Sequence, residues 1–211
     1  MTPHVVSINV GRPKLLTRGN GMVQTAIWKH PVDGPVAARG VNLEGDDQAD
    51  RKVHGGRDKA IYAYASEDTA WWEARFETTL GPGAFGENLT VAGLDLAAME
   101  VGRRWRVGST LLEVSEPRLP CFKLGLKFGN PMMVKLFALA GRTGTYLRII
   151  EEGVLEAGDA IEVGEAPGHG VTIGLIATAF LRDHSLAPRL LAAPELSDFW
   201  RDWAQERAAA A

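Results

Sequence analysis

The sequence predicts a mainly β fold: a distorted β barrel with interspersed helices and a small three-helix domain at the C-terminus. Three observations carry this expectation. Short apolar runs broken by Gly, Pro and Asp recur from Val5 to about Val163. Turn-forming pairs such as Val101-Gly102, Val107-Gly108 and Gly158-Asp159 separate several of them. After Pro167-Gly168-His169-Gly170 the composition shifts to helix formers. Many short strands joined by glycine turns favour a closed or nearly closed barrel over βαβ units. The expected division is residues 1–167 for the barrel and 168–211 for the helical domain.

The strands are expected over residues 5–10, 23–28, 60–64, 105–107, 110–114, 146–150 and 160–163, each a short apolar or alternating run. Ser66 is placed to cap a helix running to about Phe76. Asn130 and Pro131 read as N-cap and first residue of a helix ending at Ala140, with Gly141 to stop it. Met132, Met133, Leu136 and Leu139 or Ala140 form its expected core face. In the tail, Thr172, Ser185 and Ser197 are the expected caps of three short helices, with Trp200 and Trp203 as core anchors. A unit of this size rarely holds together alone, so it is expected to dock on the barrel.

The 211 residues are 45% hydrophobic and 23% charged, with a net charge of -3, close to globular averages. The absence of a basic excess argues against broad nucleic-acid or membrane-surface binding. No apolar run approaches the length of a membrane span. The N-terminus lacks a basic stretch followed by an apolar core, and the single cysteine is unpaired. Both features predict a cytoplasmic protein.

That cysteine, Cys121, sits in Pro117-Arg118-Leu119-Pro120-Cys121-Phe122-Lys123-Leu124. One thiol cannot close an intramolecular disulfide, which leaves packing, reactivity or metal ligation. Two prolines hold the approach in extended or turn geometry. Arg118 and Lys123 bring cations close in sequence, a setting that favours the nucleophilic, metal-binding thiolate. The alternative is a buried structural cysteine, since free Cys is among the most buried residue types.

Two further clusters stand out. Residues 42–59 begin with an acidic stretch that lacks the ligand spacing of a calcium loop. They end in His54-Gly55-Gly56, where backbone amides could approach an anion, with Arg57 and Lys59 beside them. Residues 83–90 hold Glu87 and Asn88 in a segment too glycine-rich for regular structure and too apolar for a free loop. A solvated turn and a packed turn are the plain alternatives for these two clusters.

Taken in order, the segments 54–64, 84–94 and 117–124 resemble the MOSC domain shared with the C-terminal part of molybdenum cofactor sulfurases, and most closely its YiiM-type members. The resemblance runs from about Val5 to about Ala204. It implies a distorted barrel of pyruvate-kinase-barrel type that binds molybdenum cofactor in its molybdopterin form, with Cys121 as the thiolate ligand to molybdenum. It implies a reductase of small N-hydroxylated compounds such as hydroxylaminopurine, fed by a separate flavoprotein electron donor. Pyridoxal phosphate binding is a further family-level implication. In this pocket Arg118, Lys123, Lys59 and the amides at His54, Gly55 and Gly56 could serve the cofactor phosphate. Asn88 could bond the pterin edges, and Asp58 and Glu87 could move protons while an N–O bond is cleaved. A sulfur carrier using a Cys121 persulfide and a non-catalytic cofactor-binding module remain as alternatives.

Overall fold

The computed structural model describes residues 2–49 and 55–209. The chain opens with β1 (His4–Val10), a hairpin of β2 (Lys14–Arg18) and β3 (Gly21–Thr25), then β4 (His30–Val32), β5 (Val36–Arg39) and β6 (Asn42–Leu43). A 3-10 turn at Arg57–Lys59 leads into β7 (Ile61–Ala65), α1 (Ser66–Phe76) and β8 (Leu89–Ala92). Next come β9 (Arg104–Val107), β10 (Thr110–Pro117), α2 (Phe122–Lys127) and α3 (Met133–Ala140), followed by β11 (Thr145–Glu151), β12 (Gly153–Leu155) and β13 (Ile161–Val163). The chain ends with α4 (Ile173–Leu181), a 3-10 helix at His184–Ala192, and α5 (Asp198–Ala208).

Eight strands form one mixed sheet in the order β13-β9-β10-β11-β7-β8-β1-β4. All its pairings are antiparallel except β7–β8. That pair is parallel because α1 carries the chain back between the two strands, the connection a parallel pair needs. The start of β1 meets the approach to β13. Val5 N–H donates to Asp159 O (2.9 Å), Gly158 N–H to Val5 O (2.8 Å) and Ile161 N–H to Pro3 O (2.9 Å). Among the described residues the two sides of the sheet are thus joined by an isolated bridge, His4–Ala160, and not by a full ladder.

The fold class is the expected one, and several local expectations change. Strand β3 stops at Thr25, and Ala26, Ile27 and Lys29 beyond it line a cleft. The segment around Glu87 contains a central strand, β8, whose four residues are all buried. Ser66 is the first residue of α1 and makes no capping bond. Ser197 precedes α5 without capping it; its hydroxyl donates instead to Glu116 Oε2 at 3.0 Å. In α3 the buried face is Met133 and Phe137, one turn apart, while Met132 and Leu139 are more than half exposed. Helix α2 was not expected, because Gly125 and Gly129 weaken its helical signal.

Thr172 does cap α4, its Oγ1 accepting from Leu175 N–H at 3.1 Å. Ile173, Ile176, Leu190, Trp200 and Trp203 join the same apolar cluster as Trp105 and Val107 of the sheet and Val101 ahead of it. A second cluster, Tyr62, Tyr64, Trp72, Phe85, Leu124, Met133 and Phe137, underlies α1, α2 and α3. The functional cleft lies beside this aromatic cluster, sharing Tyr62 with it.

Candidate functional site

A solvent-open cleft enclosing about 650 Å³, open solvent included, lies where β10 gives way to α2. Cys121, Arg118, Lys123, Lys59 and Asn88 all line it, from segments far apart in the chain. Cys121 is half-buried and stands immediately before α2 in extended backbone geometry, φ -126° and ψ 169°. Pro120 ahead of it and the short helix behind it fix where the sulfur sits.

Arg118 is buried, with its guanidinium 5.5 Å from the Tyr62 ring centre and 5.2 Å from that of Phe137. Its Nη1 has no hydrogen-bond partner among the described residues. Burial works against the charge, but neighbouring Tyr62, Tyr146 and Cys121 outweigh it and move the Arg118 pKa up. A buried cationic donor without a partner is costly unless an anion completes it. Tyr146 also lines the cleft, its ring 5.3 Å from that of Tyr62. Burial pushes its phenol up to about 12, against the pull of Arg118. Tyr62 is raised too, by burial, and its hydroxyl donates to Thr143 O at 2.9 Å.

The other expected site residues fall in different places. Lys59 lines the cleft with its Nζ 3.4 Å from Glu116 Oε1. Gly56 does not line it. Its φ is 93°, and its N–H donates to Gln48 Oε1 at 3.3 Å. Gln48 in turn donates to Lys59 O at 3.1 Å, so the glycine turn is tied to the cleft through this side chain. Gly55 is half-buried beside that turn, outside the cleft lining. His54 lies outside the described residues.

Asp58 and Glu87 lie outside the lining of this cleft. Asp58 faces a separate depression, where its Oδ1 lies 2.5 Å from Arg148 Nε, with Glu113 and Glu195 nearby. With three residues per turn, the 3-10 helix projects neighbouring side chains about 120° apart, which sends Asp58 and Lys59 to different sides. Glu87 is 1% exposed and accepts from Gly83 N–H (2.6 Å), Phe85 N–H (2.9 Å) and Thr90 Oγ1 (3.0 Å). Burial raises its pKa while these bonds oppose the shift. It organises the 83–87 loop from within and does not reach the cleft. Asn88 lines the cleft, but its amide serves the protein. Nδ2 donates to Asp46 Oδ2 (2.8 Å) and Asn9 O (3.3 Å), and Oδ1 accepts from Tyr62 N–H (3.1 Å).

Sequence reasoning missed the pair beneath this amide. Lys29 Nζ and Asp46 Oδ1 are 2.5 Å apart in the cleft wall, and Asp46 also accepts from Gly11 N–H at 2.8 Å. Asp46 lies in the acidic stretch read as solvated, and nothing in its local composition marks it as buried. Lys127 was missed as well. Its Nζ donates to Ile27 O at 3.0 Å and to Gly83 O, pinning the cleft wall to the glycine loop. Burial lowers its pKa to about 8, with Glu87 opposing. Gly86 permits this close approach: at φ 80°, a Cβ there would meet Ile27 Cγ1 at 2.7 Å. Among the described residues no group of three or more His, Cys, Asp or Glu could hold a metal ion. No helix of the described residues is long and apolar enough to cross a membrane.

A mixed sheet with a lone cysteine and a buried arginine in one cleft defines a recognisable class. Residues 50–162 match the MOSC domain, and the chain belongs to that family. Within it the protein is of YiiM type. It resembles YiiM of Geobacillus stearothermophilus, with a TM-score of 0.80 and 34% identity over 97% of this chain and 98% of that one. It is 36% identical to the uncharacterized protein YflK of Bacillus subtilis over 93% of this chain and 90% of YflK. It is also 34% identical to a protein of Gibberella moniliformis named a reductase, covering 77% of this chain and 29% of that longer protein.

Proposed function

We propose that this protein is a molybdenum-cofactor-dependent reductase of small N-hydroxylated compounds, with hydroxylaminopurine as the model substrate. The observation that carries the reading is the partnerless Nη1 of buried Arg118 in the same cleft as Cys121. An anionic group that also offers a metal to sulfur satisfies both residues at once. Membership of the MOSC family and the likeness to a protein named a reductase support the choice of redox chemistry.

The residues fit the molybdopterin cofactor. Cys121 Sγ is the soft donor for the metal. Arg118 Nη1, together with Lys59 and Lys123, would hold the phosphate by charge-assisted bonds. When bound, the cofactor would supply two-electron redox chemistry at the N–O bond. The balance is R–NHOH plus two electrons and two protons giving R–NH2 and water, the electrons coming from a separate flavoprotein donor. Tyr146 keeps its phenolic proton through the neutral range and can donate a hydrogen bond from Oη to the departing oxygen. The Lys29–Asp46 pair and Asn88 hold the wall facing these groups.

The test is expression in a host competent for molybdenum cofactor synthesis, followed by molybdenum and phosphorus analysis, pterin fluorescence and a hydroxylaminopurine assay. Molybdenum and phosphorus in fixed ratio with turnover support the reading. Cyanide-labile sulfur without metal would replace it with a sulfur carrier.

A further inference from the structure

The charges of this acidic protein are strongly segregated along the chain. Residues 5–32 and 117–150 together carry ten of its 23 Lys and Arg and none of its 26 Asp and Glu. Both segments converge on the cleft. Lys14 pairs in the hairpin ladder with Thr25, which lines the cleft. The Arg18 guanidinium lies 4.0 Å from the ring centre of Phe122, the residue between Cys121 and Lys123. Arg12 is exposed next to Gly11, whose N–H is held by Asp46 of the cleft wall.

Some of the ten cations are used internally, as Lys29 with Asp46, Arg142 with Asp68 and Arg148 with Asp58 and Glu113. Arg12, Lys14, Arg18 and Lys123 form no ion pair among the described residues. Two apolar side chains on the hairpin, Leu15 and Met22, are 66% and 61% exposed. A cationic hairpin and rim around exposed apolar contacts, with Asp46 and Asp47 as the carboxylates in the cleft lining, favours one orientation of approach.

We infer that the β2–β3 hairpin and the adjoining cleft rim form the docking surface for the electron donor, and that the donor presents an acidic face there. The inference rests on the proposed reductase function for the donor's identity. The surface would bring a flavin to the mouth beside Cys121, where electrons must enter. Arg12, Lys14 and Arg18 set the encounter, and Leu15 and Met22 supply the contact.

The experiment uses the full-length protein and an acidic flavodoxin-type FMN protein as probe. Binding is followed by titration calorimetry at 20 and 300 mM salt. Wild type is expected to lose at least tenfold in affinity between the two. The triple variant R12E/K14E/R18E is expected to lose at least tenfold at 20 mM salt. It should keep wild-type molybdenum occupancy and wild-type turnover with reduced viologen, a donor that needs no docking. Three charge reversals along and just before β2 could disturb folding, so Arg18→Gln provides a milder step with a smaller loss in the same direction. Arg189→Glu, on the exposed C-terminal 3-10 helix, should leave binding unchanged. Equal affinity of wild type and triple variant overturns the inference, as does an equal loss in Arg189→Glu or a preference for duplex DNA over the flavoprotein. Absence of viologen-driven turnover in wild type would instead defeat the reductase reading, while the binding data would still report on the surface.

Discussion

Lys29 Nζ lies 2.5 Å from Asp46 Oδ1 and 2.6 Å from Oδ2, forming an ion pair whose side chains are 9% and 2% exposed. The pair braces a wall of the cleft that Cys121 also lines, because the same carboxylate also holds Gly11 N–H and Asn88 Nδ2. Burial lowers the Lys29 pKa and Asp46 opposes the shift. Removing one member leaves the other charge buried and unpaired, at a cost of about 3–5 kcal/mol. Asp46→Ala should therefore lower urea stability by roughly that amount. Lys29→Met/Asp46→Leu should lose less than the sum of the single changes, and a strictly additive cycle would deny the coupling.

Cys121 is half-buried and makes no hydrogen bond through sulfur among the described residues. Cys121→Ser should unfold at the same urea midpoint as wild type, since neither volume nor satisfied bonds change. Molybdenum retention and hydroxylaminopurine reduction should be lost, because a hydroxyl is a poor partner for a soft metal. A variant that turns over at the wild-type rate would make the thiol structural.

Arg118 separates binding from stability. Arg118→Met removes a charge-assisted donor contributing about 1.5–3 kcal/mol, so cofactor affinity should fall roughly 10- to 100-fold. The cofactor-free variant should be at least as stable as cofactor-free wild type, because a buried guanidinium with a partnerless nitrogen is replaced by an apolar side chain. Thermal unfolding of the two apoproteins, set beside molybdenum content after expression, checks both halves. A strongly destabilised apo variant would assign Arg118 to packing.

Lys127 gives a pH signature. Its folded pKa, about 8, lies below the usual lysine value of 10.5, so the unfolded chain binds the extra proton between these values. Stability then rises with pH through that window, the burial penalty being full below pH 8 and relieved by about pH 10. Wild type should gain stability relative to Lys127→Met between pH 7 and pH 10. Parallel urea midpoints for the two proteins across that range would contradict the shift.

The tail is coupled to the cleft through Ser197, whose hydroxyl satisfies buried Glu116 Oε2, while Glu116 Oε1 faces Lys59. Ser197→Ala leaves that carboxylate oxygen unsatisfied and should cost about 1–3 kcal/mol. We expect Lys59 to move with Glu116, so cofactor affinity should drop as well. Stability loss with wild-type affinity would confine Ser197 to the tail interface.

The sequence alone determined the fold class, the lone thiol and the cations flanking it. These features are local: apolar periodicity reports which residues must leave water, Pro117 and Pro120 restrict the backbone wherever they stand, and Gly141 admits the left-handed turn that ends α3. It also marked Arg118, Lys59, Lys123 and Asn88, which three separated segments bring to one cleft. The tertiary structure alone decided the roles around them. Asp46 looked solvated because burial of a carboxylate depends on a lysine 17 residues away that can neutralise it. For Glu87 the residue type was legible and the loop amides that saturate it were not. Asp58 and Lys59 are neighbours in sequence, yet Asp58 pairs with Arg148, 90 residues further on, in a separate depression. Hydrogen-bond satisfaction and charge pairing are settled by contacts across the chain, and only the folded packing of sheet against helices supplies those partners.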